Sequence, residues 1–227
     1  MGGNAFRECT SLDTVNYNAV SCADIGRADD APFYRLNITT INVGEGVEYI
    51  PAHFAHEVRS LKNLNLPSTL KRIGLWSFIA CDSLMTLTIP SSVTSIGENA
   101  FNCSNAHNFE TVYCYIPHPS KVSLGSGAFT ASPFTAHNWR TLYVPAGSGE
   151  AYRASAWRSY FPNIVEMSGQ TGDVNGDGIL DVADVTLLIA AILNDSVPGI
   201  VGTTDVNGDG TTDVADVTLL ISMILDN

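Results

Sequence analysis

The strongest constraint on this chain is a recurrence. Leu61, Leu64 and Leu66 return one step later as Leu84, Leu87 and Ile89, and the same step backwards reaches Ile38, Ile41 and Val43. Further members are Leu12, Val15 and Tyr17; Phe109, Val112 and Cys114; and Trp139, Leu142 and Val144. The six starts are therefore Leu12, Ile38, Leu61, Leu84, Phe109 and Trp139, a period in the low twenties that lengthens at either end. A second apolar set follows within each unit, as in Val93 and Ile96 before Phe101, or Leu70 and Ile73 before Phe78. Units of this length hold one strand and a return, and none can bury its apolar side without neighbours. The pattern therefore predicts a solenoid, with one strand per repeat in a shared parallel sheet and irregular or short helical returns.

Side chains alternate across a strand, so the residues between the apolar anchors point away from the core. They form a row with no charge, from Thr14 and Asn16 to Thr141 and Tyr143. Asn42, Asn65, Thr88, Tyr113 and Tyr143 are its candidate ligand positions, polar at one end and aromatic at the other, suited to glycans or polar protein loops. Thr and Tyr also favour strands on propensity alone, which leaves a merely solvated face as the alternative. Two stretches break the rhythm. Residues 19–34, with Asp24, Gly26, Asp29 and Asp30, read as a surface loop, and residues 115–138 are interrupted by Pro117, Pro119 and Pro133. Tyr152, Trp157 and Phe161 then stand at helical spacing and are expected to form a helical cap over the last exposed core face. The opening residues repeat the wording around Phe101, so the chain is expected to begin inside a repeat, with further repeats and an export signal upstream.

The C-terminal quarter carries a different duplication. Residues 173–184 and 205–216 are two loops of the same pattern, each followed by an apolar run. Oxygen-bearing side chains occupy loop positions 1, 3, 5, 9 and 12: Asp173, Asn175, Asp177, Asp181 and Asp184, then Asp205, Asn207, Asp209, Asp213 and Asp216. An EF-hand-like loop presents oxygens to Ca2+ at those offsets, adds the carbonyl of position 7 (Ile179 and Thr211), and turns at a glycine in position 6 (Gly178 and Gly210). Each loop holds four aspartates, and no lysine or arginine follows Thr171. Four such carboxylates repel one another unless a cation joins them, so binding of two Ca2+ ions and folding of the loops are expected to be one event.

Neither loop is preceded by a helix-forming segment, so each unit is a loop and one helix. This duplicated pattern resembles the type I dockerin, an all-α module of two such F-hand units that docks onto cohesin domains in extracellular, cellulosome-like bacterial assemblies. Positions 10 and 11, often hydroxylated in cellulosomal members, are here Val182 and Ala183, and Val214 and Ala215. The resemblance implies that Val182, Ala183, Ile189 and Ala190, with Val214, Ala215, Ile221 and Ser222, read the cohesin. The two helical runs are apolar nearly all round, more than one buried stripe requires, which leaves apolar side chains outside. The wording of residues 87–101 resembles the BspA-like family of bacterial surface leucine-rich repeats. That resemblance implies an exported, non-enzymatic adhesion protein with a host, neighbour-cell or glycan ligand.

The charge supports this division. The net charge of −12 arises because 10 of the 23 acidic side chains lie in the C-terminal module, which leaves 13 acids against 11 bases over residues 1–169. No basic cluster suggests nucleic acid, and no apolar run is long enough for a membrane span. Cys9, Cys22, Cys81, Cys103 and Cys114 have no zinc-type spacing, and Cys9, Cys81 and Cys103 are expected to be small buried thiols. His53 and His56 beside Glu57 lack the order of a zinc protease and are expected to be a surface pair. His107, His118 and His137 have no nucleophile context, so no catalytic residue is assigned. The expected organisation is a multidomain chain: a leucine-rich-repeat solenoid over residues 1–145, a cap over 146–167, a linker over 168–172 and a calcium-binding dockerin over 173–227. Two alternatives stay open. In one, the chain is an accessory segment of a larger secreted, polysaccharide-degrading enzyme; in the other, the module is only an intramolecular calcium-stabilised domain.

Overall fold

The computed structural model describes residues 5–103, 109–130, 139–167, 171–177, 179–194, 200, 202, 204–207 and 209–225. In chain order, β1 (Thr14–Tyr17) is followed by β2 (Thr40–Val43) with β3 (Tyr49–Ile50), and β4 (Asn63–Asn65) with β5 (Arg72–Ile73). Next come β6 (Thr86–Ile89) with β7 (Ser95–Ile96), β8 (Thr111–Cys114) with β9 (Ser123–Leu124), and β10 (Thr141–Val144). All pair in parallel, so the molecule is a parallel solenoid. The predicted strands are the longer ones, and each begins two residues after its repeat start. They form a face in two ladders, β1-β2-β4 and β6-β8-β10 with one further strand.

The second ladder, β3-β5-β7-β9, was not expected from the sequence. Its strands are two residues long, too short for any periodicity to register. Their inward residues Ile50, Ile73 and Ile96 are the second apolar set of each repeat, and they are fully buried. The apolar anchors stack in register: Val15 on Ile41 on Leu64, and Leu87 on Val112 on Leu142. An aromatic spine runs between the two ladders. Phe33 meets Phe54 edge-on at 5.4 Å, and Phe78, Phe101 and Phe129 stack with centroids 5.3 Å apart and rings within 8° of parallel. Offset stacking at this separation suits the ring quadrupoles, and each ring also seals the turn beside it.

The spine ends on the cap. After β10 come α1 (Gly149–Arg153) and a 3-10 turn over Ala156–Ser159, which place Trp157 5.5 Å and Phe161 5.2 Å from Phe129. Tyr152, Trp157 and Phe161 are all buried, as expected of a cap. The cap is only partly helical. Its final segment, β11 (Asn163–Glu166), extends the sheet beside β10 and buries Ile164 against Leu142. One buried residue in four is too weak an alternation to read from sequence.

Cys81, Cys103 and Cys114 are buried, but Cys9, on the first described turn, is exposed. The 19–34 stretch is more than a surface loop, since Ile25, Ala31 and Phe33 are buried beneath it. Two helices complete the described chain, α2 (Val182–Leu193) and α3 (Val214–Leu225). They close a separate small core of Val174, Val185 and Leu188 against Val206, Val217 and Leu220, three pairs related by the same offset as the two loops.

Stacking at this pitch brings backbones very close at one corner. A methyl group on Gly97 would lie 2.5 Å from the Leu75 amide nitrogen, and Gly74 and Gly125 stand in the same column against their own preceding turns. Gly97→Ala should therefore force neighbouring turns apart and cost about 2–3 kcal/mol. Gly26→Ala, which has open space, should leave the thermal midpoint unchanged. Calorimetric melting of both variants checks this.

Candidate metal centres and the faces beside them

Each aspartate loop is drawn closed by its own backbone amides. In the first, Asp184 is fully buried. One of its oxygens accepts from the amides of Val174 (2.9 Å) and Asn175 (3.1 Å), and the other from Asp181 (3.0 Å). In the second, Asp216 does the same with Val206 (2.8 Å), Asn207 (3.0 Å) and Asp213 (2.8 Å). The position-12 carboxylate thus cinches the loop ends onto the helix start. Asp181 caps α2 by accepting from the Ala183 amide at 2.7 Å, and Asp213 accepts from Ala215 at the same distance.

The remaining predicted ligands lie on the same turns. Asp173 accepts from the amides of Gly176 (2.8 Å) and Asp177 (3.1 Å), Asn175 from Asp177 (2.8 Å), and Asp177 from Ile179 (2.8 Å). Asp205 accepts from Asp209 (3.1 Å) and Gly210 (2.9 Å), Asn207 from Asp209 (2.8 Å), and Asp209 from both amide and hydroxyl of Thr211. Gly210 has φ +90°, the left-handed turn demanded of position 6; its counterpart Gly178 lies outside the described residues, as do residues 168–170 of the expected linker.

The donor set fits a hard cation, since every predicted side-chain ligand presents oxygen and a carboxylate retains further lone pairs after accepting one or two amides. Among the described residues no three acidic, His or Cys side chains gather at metal-binding geometry. The amides, not a common centre, orient the aspartates here. When bound, Ca2+ would supply the neutralising charge, held by the two sets of side chains and by the carbonyls of Ile179 and Thr211. The loops differ electrostatically. Burial, reinforced by the Asp184 and Asp181 charges, pushes the Asp177 carboxyl up against the bonds from Ile179 and Asn175. The Thr211 hydroxyl and amide, with Asn207, hold Asp209 down. Burial works to raise Asp216, but its three backbone donors outweigh it and keep that carboxyl below its ordinary value.

The helix faces match as closely as the loops. Val182 is 72% and Val214 73% exposed, and Ile189 and Ile221 are both 43% exposed. Ala183, Ala215 and Ser222 are exposed and Ala190 is half-buried. Leu193 and Leu225 add exposed apolar surface at the helix ends.

On the solenoid the outward row is where it was expected. Asn16, Asn42 and Asn65 form an amide ladder, Asn42 donating to Asn16 at 2.8 Å and Asn65 to Asn42 at 2.7 Å. Thr88 is exposed in the middle of the row, and Tyr113 and Tyr143 stack at its other end, 5.0 Å apart and within 19° of parallel. The His53–His56 pair, by contrast, is not on the surface. His53 is buried and His56 half-buried, with their Nδ1 atoms 3.1 Å apart and the Trp76 ring 4.9 Å from His53. His53 has φ +56° and Trp76, one repeat on, φ +53°, a left-handed corner that turns both rings inward. His118 is exposed, and His107 and His137 lie outside the described residues.

These features define a parallel repeat solenoid followed by a two-loop, two-helix acidic module. The chain belongs to the family described as BspA type leucine-rich repeat region, which it matches in six copies over residues 1–104 and 27–136. Residues 171–225 match the type I dockerin domain, a calcium-binding module that docks onto cohesin partners. A comparison with curated proteins finds no match. No described helix is long and apolar enough to cross a membrane.

Asp184→Ala removes the acceptor for three amides and should cost about 1–3 kcal/mol in the module even without calcium. Calorimetric titration should then show the second loop still binding and the first not. In the solenoid, burial holds both His53 and His56 below the ordinary imidazole value of 6.5, and for His56 the His53 charge adds to burial. Both are therefore neutral in the fold, and their stabilising contribution is present above 6.5 and lost as pH falls through their lowered values. The melting temperature should drop on acidification below neutrality, and His56→Asn should flatten that drop.

Proposed function

We propose that this chain is a secreted, non-catalytic binding module that is fixed to a cohesin-bearing scaffold or surface protein by a dockerin holding two Ca2+ ions. The observation that carries this reading is the near-identity of the two loop–helix units. Equivalent carboxylates are cinched by equivalent amides, and equivalent apolar residues of α2 and α3 are exposed to the same extent. Exposed apolar side chains beside a folded core mark a partner surface. Val182, Ala183, Ile189 and Ala190 on one helix, and Val214, Ala215, Ile221 and Ser222 on the other, would each present that surface, giving two docking orientations. Export to the cell exterior agrees with both families, whose members work outside the cell.

The uncharged sheet face is the second half of the reading. Its amide ladder and tyrosine stack would bind a neutral ligand, a glycan or a polar loop on a host or neighbouring cell, through Asn42, Asn65, Thr88, Tyr113 and Tyr143. Stacked aromatic rings offer apolar surface at little entropic cost, and the amides supply directional donors and acceptors.

The test is capture of a panel of purified cohesin domains by the full chain, with calcium and with a chelator. Calcium-dependent capture of at least one cohesin is expected, and failure with all of them in calcium would overturn the docking role. Val182→Asp combined with Ala183→Asp should leave the affinity almost unchanged, because the second helix serves instead. Adding the same change at Val214 and Ala215 should abolish binding.

A further inference from the structure

We infer that the free edge of β11 carries an anion site, built by Arg153 and Arg158 and fitted to the carboxylate of an acidic sugar. The site itself is independent of the calcium loops, and the choice of a sugar rests on the ligand-face reading above.

The end of the sheet dictates the construction. β11 is the last strand of its ladder and pairs only with β10. The amides of Asn163 and Met167 donate to the carbonyls of Arg140 and Val144 on the β10 side, at 3.3 and 2.7 Å. Alternate residues of a parallel strand turn their amide and carbonyl to opposite edges, so those of Ile164 face outwards. Charged side chains commonly blunt an edge of this kind. Here the cap provides two of them. Arg153, at the end of α1, donates through Nη2 to the Ile164 carbonyl at 3.2 Å and through Nη1 to Glu150 at 2.7 Å. Arg158, in the 3-10 turn, donates to the Pro162 carbonyl.

Covering the edge consumes neither the charge nor the donors. A guanidinium has five N–H groups, and a neutral carbonyl holds one in place without neutralising it. Arg158 has no carboxylate partner among the described residues. Between the two arginines lies an open cavity of about 290 Å³, lined also by Pro162, Asn163, Ile164 and Val165. No carboxylate lines it. Glu150 is almost wholly exposed, and Glu166 is turned to the amides of Gly147 and Gly149, accepting at 2.8 and 2.9 Å. The Ile164 side chain is buried, so this residue meets the cavity with its backbone, and its outward amide is a further donor. Two anchored guanidiniums and an amide together suit an oxyanion. A carboxylate presents two oxygens in one plane, which matches the planar fork of an arginine.

The cavity adjoins the ligand face. The register sets Asn163 beside Thr141 and Val165 beside Tyr143, so the outward row runs on to the rim of the cavity. Tyr143 stacks on Tyr113 on its other side, and Val165 is 42% exposed. A pyranose ring set over Val165 against Tyr143 lies one strand spacing, about 4.8 Å, from the end of the row, with its carboxylate between Arg153 and Arg158. The rest of the row is uncharged, so this end is where an acidic sugar is told from a neutral one.

The test titrates glucuronate, glucose and acetate into the full chain in saturating calcium, following the arginine Nε–H signals of nitrogen-15-labelled protein by NMR. Glucuronate should shift the signals of Arg153 and Arg158, and glucose should shift neither. Arg158→Gln should weaken glucuronate by about tenfold, the worth of one charge-assisted hydrogen bond, with the melting temperature largely kept. Tyr143→Ala should weaken glucuronate and leave acetate as it was. No shift with glucuronate, or undiminished binding when Arg153→Gln and Arg158→Gln are combined, would overturn the site. Acetate bound as tightly as glucuronate would overturn the sugar assignment and the ligand-face reading at this end, leaving a bare anion site. A peptide carboxyl terminus that displaces glucuronate at lower concentration would overturn the sugar in favour of a protein partner.

Discussion

Every turn of the solenoid depends on the turn beside it. Each repeat has one inward column of side chains in each ladder and one aromatic ring between them, and these are buried only when a neighbour lies on either side. The phenylalanine spine makes this dependence visible, since Phe101 stacks on Phe78 from one neighbouring turn and on Phe129 from the other. The same constraint explains the glycine corner, where side chains would hold successive backbones apart, and the cap. Trp157 and Phe161 cover Phe129 because a solenoid core left open at its end exposes a whole face of apolar rings to water. Energy in such a fold is shared between neighbours, so strain at one corner is felt along the stack.

The C-terminal module meets the opposite difficulty. Its core is six small apolar residues, and a unit of this size buries too little surface to offset its ordering entropy by apolar burial alone. Its loops compensate with hydrogen bonds of an unusual economy, in which one buried aspartate satisfies three amides, one of them the bond that completes the capping box of α2. That arrangement concentrates negative charge, which a bound cation would offset. The residues that close the loops are therefore also the ones that would hold the ion.

Much of this was legible in the sequence because it is periodic. Apolar triplets recurring every 23 to 30 residues marked the longer strands, and the single offset that carries Asp173 to Asp205 marked both loops and both helices. The features that escaped are too short or too weakly patterned to name an element. The two-residue strands of the second ladder give one inward residue each, and β11 buries only Ile164. The inward turn of His53 depends on a left-handed backbone that nothing in its neighbours announces, although Asn99 and Gly127 at later corners adopt the same conformation and are residues that favour it. The loop ligands were legible as a list of oxygens. The amides that orient them were not, because a backbone donor has no letter of its own.

The placement of charge along the chain gives these parts a common logic. The solenoid is close to neutral and its outward sheet face carries no charge, whereas the module is acidic throughout. A neutral face does not attract the module's carboxylates, and the cores of the two parts are separate. The chain thus keeps its acidic chemistry in one small module and an uncharged, regularly spaced surface in the other part.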